Sequence, residues 1–298
     1  KRINIDSFNF VRGFRTVVVS THSKLELSLN YLVFKTPDEI KRINIDEIQT
    51  LIVESTAVAI TSSLLAELVR KKIKVVFCNE KKEPFSELVP YYGDSISYKR
   101  IKQKICWSNA AKDLVWQKII IEKIKNQANV LSTISNDDSL ILLEFANNVQ
   151  IGDITNREGH AAKFYFNRIY GENFTRNNNN EINAYLNYGY TIILSQFSKA
   201  IVAKGYLTQL GIHHIGETNY FNLACDFMEP VRPFIDKRVK GLTSDNFKDK
   251  LIEVLSETFL FDGQKQTLSN AISLYVASLL NSLASEDASK IKFIKEYE

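Results

Sequence analysis

The chain has 298 residues, a formal net charge of +4 and a hydrophobic content of 45%, values typical of a globular protein. No stretch approaches the roughly 20 consecutive apolar residues of a membrane span, and the N-terminal residues lack the apolar core of a secretory signal. We therefore expect a cytoplasmic protein that does not enter a membrane. The three cysteines have no Cys-x-x-Cys spacing, which argues against a disulfide framework or a zinc site.

The first third of the chain has the pattern of a small β-rich domain, residues 13–92, preceded by an N-terminal extension, residues 1–12. Short β-branched or aromatic runs bounded by polar residues predict strands at 16–19, 31–35, 50–53 and 74–78. One inserted helix is predicted, with Ser62 or Ser63 as its cap, because the leucines that follow form an apolar stripe. Residues 93–108 are expected to be a linker, since the sequence around Pro90 and Gly93 is rich in residues that interrupt regular structure.

From residue 109 onward the apolar residues recur at the helical period, which predicts an all-α C-terminal domain, residues 109–298. Helices are expected at 109–132, 137–147, 155–170 and 182–204, and near 230–240, 245–258 and 267–284. The charged residues at the C-terminus, 290–298, are expected to fray or to form a tail. The predicted fold class is α+β, with a candidate metal site in the helical domain.

Two groups of polar residues in this domain have alternative interpretations. Thr155 and Glu158 fit a capping box, in which the glutamate reaches back to cap its own helix and has only a structural role. Asn183, Asn187 and Tyr190 share one stripe of the following helix. Either these three make hydrogen bonds at the edge of the core, or they face a metal pocket or DNA.

Glu158, His214 and Glu229 are the candidate metal ligands. Carboxylate oxygens are hard ligands that suit Mg²⁺ or Mn²⁺, and one imidazole is tolerated best by Mn²⁺. Three protein ligands leave coordination positions open, as a catalytic ion requires. Asp226 would share a helical face with Glu229, because the two are three residues apart. Spacing alone is weak evidence in a chain with 34 acidic residues.

Six segments in order resemble the CRISPR-associated adaptation integrase family, Cas one. The C-terminal half contributes NREGHAAKFYF (156–166), INAYLNYGYTIILSQ (182–196) and FNLACDFMEPVRPFID (221–236). The N-terminal half contributes GFRTVVVSTHSKL (13–25), ESTAVAITSSLLAELV (54–69) and KVVFCNEKKEP (74–84), which resemble the type II-A version. In this family a glutamate precedes Gly-x-Ala-Ala on a helix, a histidine follows, and a DLMEPFRP-like segment comes last. The interval to Glu229 favours His214 over His213 as that histidine.

The resemblance implies a metal-dependent DNA integrase. Such an enzyme joins the 3′-OH ends of short foreign DNA fragments, the protospacers, to the CRISPR repeat by transesterification. Glu158, His214 and Glu229 would hold Mg²⁺ or Mn²⁺ and act as the catalytic residues, and Asp226 would orient a ligand or bind a second metal. The candidates for DNA binding are Arg157, Asn187, Tyr190, Arg232, Lys237 and Arg238.

The resemblance also implies partners. We expect a homodimer formed through the β-rich domain, two such dimers bridged by the small Cas two protein in a heterohexamer, and an effector nuclease that helps to choose the fragments. Two alternatives remain open, namely a metal-dependent endonuclease specific for branched DNA, or a DNA-binding scaffold without catalytic activity.

Overall fold

The computed structural model describes residues 15–80, 84–90 and 97–297. Contacts within the chain divide it between residues 91 and 92 into two compact units. The predicted extension, residues 1–12, lies outside the described residues, as does the start of the predicted linker, residues 93–108. Part of that linker is helical, because Ser97–Ile105 form a helix, α2, in the C-terminal unit.

Two four-stranded sheets and one helix build the N-terminal unit. Its strands are β1 (Arg15–Val19), β2 (Ser23–Ser28), β3 (Tyr31–Lys35), β4 (Ile40–Asn44), β5 (Ile48–Val53), β6 (Val58–Ile60), β7 (Lys74–Cys78) and β8 (Pro84–Glu87), and its helix is α1 (Ser62–Arg70). One sheet has the order β1-β5-β7-β8, in which the first three strands are parallel. The other has the order β4-β3-β2-β6.

The core of this unit lies where α1 packs against both sheets. Leu64 and Leu68 of α1 are fully buried together with Leu25 of β2 and Leu51 of β5. The cap of α1 is Thr61, whose side chain accepts a hydrogen bond from the backbone of Leu64, rather than the predicted Ser62 or Ser63. The prediction of a small β-rich domain with one inserted helix is confirmed.

Helices dominate the C-terminal unit. After α2 they are α3 (Asn109–Ser132), α4 (Asn136–Asn147), α5 (Arg157–Tyr170), α6 (Glu181–Ala203), α7 (Asn222–Met228), α8 (Arg232–Val239), α9 (Phe247–Glu253) and α10 (Leu268–Ser285). The long helix α3 is central, since α4, α5, α8 and α10 all pack against it. Helix α6 approaches α8 so closely at Gly189 that a Cβ there would lie 2.5 Å from Ile235.

The C-terminal unit also contains a small sheet that the sequence analysis does not predict. Strands β9 (Thr258–Phe261), β10 (Gln264–Thr267) and β11 (Ile294–Glu296) form an antiparallel sheet in the order β10-β9-β11. The expectation of a fraying C-terminal tail is therefore wrong for β11. Ile294 is buried, and the strand's backbone pairs with β9, so apolar burial and ladder hydrogen bonds outweigh the charge of the segment.

The fold class, α+β with a β-rich N-terminal unit and a largely helical C-terminal unit, is as predicted. The described helices include none that is both long and apolar enough to cross a membrane.

Candidate active site

Helix α3 places a buried lysine, Lys123, against the segment 221–236, the last of the six segments that resemble the Cas one family. Lys123 and Asn126 are three residues apart and both buried, on the side of α3 that faces the single 3₁₀ turn Glu229–Val231. The Asn126 amide donates a hydrogen bond of 2.7 Å to the carbonyl oxygen of Pro230. This contact ties the turn to α3 and brings Glu229 to the lysine.

Glu229 is buried between two cations. Its Oε2 lies 2.5 Å from the Lys123 ammonium, and its Oε1 lies 3.2 Å from a guanidinium nitrogen of Arg232. Burial by itself raises the pKa of Glu229, but the combined charges of Arg232, Lys123 and His214 lower it below the ordinary value. Glu229 is therefore held as a carboxylate inside the protein.

Glu158 reaches the same ammonium from the first turn of α5. The predicted capping box does not form there, because the cap is Asn156, in a left-handed conformation, with its side chain accepting from the backbone of Gly159. Asp153 accepts from the backbone N–H groups of Arg157 and Glu158. Other residues thus cap the helix, and the Glu158 side chain is free to accept a hydrogen bond from Lys123.

His214 is positioned by Asp226, which is fully buried in α7. The Asp226 carboxylate accepts hydrogen bonds from the backbone N–H groups of Ile212, His213 and His214, at 2.6, 3.1 and 3.0 Å. It also lies 2.5 Å from Nδ1 of the His214 ring. A side chain at Gly211 would meet this arrangement directly, since a Cβ there would lie 2.7 Å from an Asp226 oxygen.

The two adjacent histidines have different surroundings. The His213 ring stacks on Trp116, with ring centroids 4.1 Å apart and planes 7° apart. The hydrogen bond to Asp226 raises the pKa of His214, while burial opposes the rise. When His214 is neutral, a proton on Nδ1 facing Asp226 leaves the lone pair of Nε2 available as a metal ligand. Of the two histidine rings, the His214 ring is the one that contacts Asp226.

Arg232 and Tyr190, two of the predicted DNA-binding residues, lie near this centre. Arg232 pairs with Glu229, and its guanidinium carbon is 4.9 Å from the centre of the Tyr190 ring. Tyr190 is buried and its hydroxyl donates a hydrogen bond to Asp236. This contact fits the interpretation that the polar residues of this stripe make hydrogen bonds at the edge of the core. Arg157 lies beside Glu158 in sequence, but its guanidinium carbon is 6.0 Å from the centre of the Phe145 ring.

The other three candidates contact different groups. Asn187 is exposed and its side-chain oxygen accepts from Arg176, at 2.7 Å. Lys237 and Arg238 both form ion pairs with Glu296 of β11, and Arg238 also pairs with Glu257. The structure therefore groups Glu158, Glu229 and Arg232 around Lys123, and it groups His214 with Asp226.

The chemistry of these side chains fits a hard divalent cation. Two carboxylates from separate segments converge on one positively charged nitrogen. The side chains of Glu158, Glu229 and His214 do not form a ready three-donor cluster, and no other His, Cys, Asp or Glu residues do so within the described ranges. The ammonium of Lys123 stands between the two glutamates.

Lys123 and Arg176 are the two cations that the sequence analysis missed. A signal for Lys123 exists, because it follows Ile119 by four residues and Ile120 by three and so falls on an apolar face of its helix. A charge on such a face requires a partner. Arg176 follows no comparable pattern. It lies just before the four-asparagine run, and it bonds both Asn183 and Asn187.

A cavity of about 530 Å³ adjoins His214. Its lining includes Lys104, Lys112 and the exposed ring of Tyr220, together with apolar side chains. Burial lowers the pKa of Lys104 to about 7, and the ammonium donates a hydrogen bond to the carbonyl of Leu207. The cavity thus combines cationic and aromatic groups next to the candidate ligand.

Comparison with known proteins gives consistent matches along the chain. A family model described as CRISPR associated protein Cas1 matches residues 16–272. The chain is 31% identical over 300 residues to the CRISPR-associated endonuclease Cas1 of Neisseria meningitidis, a match that covers 96% of this chain and 99% of that protein.

Solved structures give the same fold. A casposase bound to integration product has a TM-score of 0.75 at 19% identity, covering 96% of this chain and 94% of that one. A Cas6-RT-Cas1–Cas2 complex has a TM-score of 0.77 at 17% identity, and the match covers 98% of this chain but only 37% of that longer chain. The family model and the Neisseria relative together show that this chain belongs to the CRISPR-associated Cas1 family.

Proposed function

We propose that this protein is a metal-dependent DNA integrase of CRISPR adaptation, which joins the 3′-OH ends of short foreign DNA fragments to the CRISPR repeat by transesterification. The observation that carries the proposal is the convergence of Glu158 and Glu229 on one buried cation, from segments far apart in the sequence. Membership in the Cas1 family and the likeness to a casposase bound to integration product support it.

Glu158 and Glu229 would hold Mg²⁺ or Mn²⁺, with Nε2 of His214 as the third ligand. When bound, such an ion polarises a phosphoryl oxygen and stabilises the attacking or leaving oxygen of the strand transfer. Asp226 keeps the His214 ring in one orientation through Nδ1 and fixes the backbone of residues 212–214. No covalent enzyme intermediate is required, because the DNA fragment carries its own nucleophile.

Arg232 supplies fixed positive charge beside the reacting phosphate. Its guanidinium is held by Glu229 on one side and by the face of Tyr190 on the other, so it cannot withdraw when DNA leaves. Its side chain is 32% exposed, so the guanidinium can also contact a phosphate oxygen. Arg157 is the second candidate for a phosphate contact.

The remaining DNA contacts are proposed along the surface of the same unit. Asn187 and Arg176 lie side by side, and Lys237 and Arg238 extend the positive charge towards β11. The cavity beside His214 could receive the end of a DNA strand, since Lys112 attracts phosphate and the Tyr220 ring offers a face for a base. These contacts would position the 3′-OH rather than perform chemistry.

The proposal includes an assembly. Two copies of the chain would pair through the β-rich unit, and a small Cas2 protein would bridge two such pairs in a heterohexamer. The likeness to a Cas6-RT-Cas1–Cas2 complex supports a Cas2 partner. An effector nuclease that selects fragments is a further proposed partner.

Single substitutions test the proposed function. Glu158→Ala, His214→Ala and Glu229→Ala should each abolish strand joining in a purified assay with Mn²⁺, because each removes one ligand. Glu253→Ala is a matched control, since Glu253 is a glutamate on α9 that pairs only with Lys250 at the surface among the described residues, and it should retain full activity.

The same assay separates the alternatives. If all three variants joined strands like wild type, the site assignment would be wrong. A protein that binds DNA but never joins strands, with or without Mn²⁺ or Mg²⁺, would be a scaffold. A branched substrate distinguishes an integrase running in reverse, which rejoins the strand it releases, from an endonuclease, which only cuts.

A further inference from the structure

Lys123 forms an ion pair with each of the two predicted carboxylate ligands. Its side chain is 6% exposed, its ammonium donates to Glu158 Oε1, and the same nitrogen lies 2.5 Å from Glu229 Oε2. The lysine thus stands where the two carboxylates converge, which is where a shared cation would bind. The Cas1 resemblance assigns it no role.

We propose that Lys123 is a positioning residue that holds Glu158 and Glu229 together before DNA binds and yields its place to a divalent ion when a DNA phosphate arrives. The inference rests on the proposed function, because it concerns the same two ligands. It adds a coupling, namely that the ion and the DNA bind cooperatively.

The charges of the cluster argue for this coupling. The two carboxylates are already balanced by the two cations Lys123 and Arg232. A divalent ion that entered this neutral, largely buried group would leave net positive charge out of water, which is unfavourable. A DNA phosphodiester carries one negative charge and offsets part of this excess, so the ion and the phosphate should each favour the binding of the other.

The side chains differ in their freedom to move. Lysine has a flexible four-carbon chain and a single charged nitrogen, so Lys123 can turn from the carboxylates to a phosphate oxygen without moving α3. Arg232 is clamped between Glu229 and Tyr190 and stays in place. Glu158 has a side chain that is 31% exposed, which gives the ion a route from solvent to the cluster.

Binding of Mn²⁺, followed by the paramagnetic resonance signal of the free ion, tests the proposal independently of activity. Wild-type protein should bind Mn²⁺ at least about tenfold more tightly in the presence of branched DNA that represents the joined product. Lys123→Met should bind Mn²⁺ at least about tenfold more tightly than wild type when DNA is absent, and added DNA should then tighten binding less.

Lys123→Arg is the matched control, because it keeps the charge and should bind Mn²⁺ without DNA no more tightly than wild type. Circular dichroism establishes that each variant is folded. Equal Mn²⁺ affinity in folded Lys123→Met and wild type would overturn the inference. If Lys123→Met did not fold, the wild-type measurement would decide alone, since Mn²⁺ binding that is independent of DNA contradicts the proposal.

Failure of this inference can be told apart from failure of the proposed function. If Glu158→Gln weakens Mn²⁺ binding to the DNA complex while Lys123→Met changes nothing, the metal site stands and the role of the lysine falls. If neither Glu158→Gln nor Glu229→Gln weakens Mn²⁺ binding, the assignment of the site itself is wrong.

Discussion

Within the described residues, each unit of the protein buries a lysine against glutamate, and the two arrangements differ in kind. In the N-terminal unit, Lys74 of β7 pairs with Glu87 of β8, and both side chains are buried. In the C-terminal unit, Lys123 is shared by Glu158 and Glu229, while Glu229 is itself shared with Arg232. The first pair is closed between neighbouring strands, and the second is a network that opens to solvent at Glu158.

The two lysines also respond differently to burial. Burial lowers the pKa of Lys74, and the single charge of Glu87 does not fully compensate. Burial acts on Lys123 as well, but the two carboxylates together raise its pKa above the ordinary value. Two carboxylates that converge on one ammonium are what a site for a more highly charged cation would offer. A closed pair serves the fold, whereas an open network can exchange its cation.

The largest expected effect comes from removing the charge of Glu229 while keeping its shape. Glu229→Gln should lower the rate of strand joining by at least about 10³-fold, because several kcal/mol of transition-state stabilisation depend on the ion that this carboxylate would hold. A single-turnover assay with saturating DNA measures the loss. A variant within tenfold of wild type would place the chemistry elsewhere.

Breaking the Lys74–Glu87 pair should lower the stability of the protein without changing the rate of strand joining. Lys74→Met strands the Glu87 carboxylate in the interior and should reduce the free energy of unfolding by about 3–5 kcal/mol. Denaturant unfolding gives this value, and strand joining per folded molecule should equal that of wild type. The double variant Lys74→Met/Glu87→Leu should recover most of the lost stability, because no unpaired charge remains buried. In the network around Lys123, by contrast, no double substitution should restore strand joining.

Asp226→Asn tests the support of His214. The neutral amide cannot raise the pKa of His214 as the carboxylate does, and loss of this partner should reduce Mn²⁺ affinity by about 10–100-fold. Because the folded-state pKa of His214 is raised from 6.5, the stabilisation from its protonated form is present below pH 6.5 and is lost as the pH rises through the folded value.

The substitution should therefore cost more stability in acid than in base. Thermal unfolding at several pH values on both sides of 6.5 measures this. An equal loss at all pH values would show that Asp226 acts only through the backbone N–H groups that it binds.

The smallest expected effect concerns Asp236, whose carboxylate accepts a hydrogen bond from the Tyr190 hydroxyl. Burial raises its pKa from 3.8 to about 6, so the folded protein keeps a proton that the unfolded chain has released. Stability should therefore fall as the pH rises from about 3.8 to about 6, by at most about 1.4 kcal/mol per pH unit. Asp236→Asn should flatten this slope, and an unchanged slope in the variant would assign it to other groups.

The contrast between the two lysines also shows how far the sequence could predict the structure. Local patterns predicted α3 to the residue, because its apolar residues recur at the helical period, and they placed four strands of the N-terminal unit. Strands β9 to β11 were missed, since each is at most four residues long and is stabilised by pairing with a distant segment. Short strands give too little alternation to be recognised.

The candidate site could likewise be predicted only in part from the sequence. Residue types and the family resemblance identified Glu158, His214 and Glu229, but not how they are held. That Lys123 meets both glutamates follows from the packing of α3 against α5 and against the Glu229–Val231 turn. Lys123 and Glu158 are 35 residues apart, and Asn126 and Pro230 are 104 apart, so no local pattern encodes these contacts. The choice of Asn156 over Thr155 as the cap of α5 likewise depends on Asp153.

The central claim is that the two glutamates around Lys123 form the cation site of the enzyme. The most direct test is anomalous diffraction from crystals of the protein with branched DNA and Mn²⁺. We predict an Mn²⁺ peak bonded to Glu158 and Glu229, with the His214 ring turned to it and the Lys123 ammonium moved to a phosphate oxygen. An Mn²⁺ peak elsewhere, with Lys123 still bridging the two carboxylates, would contradict the account.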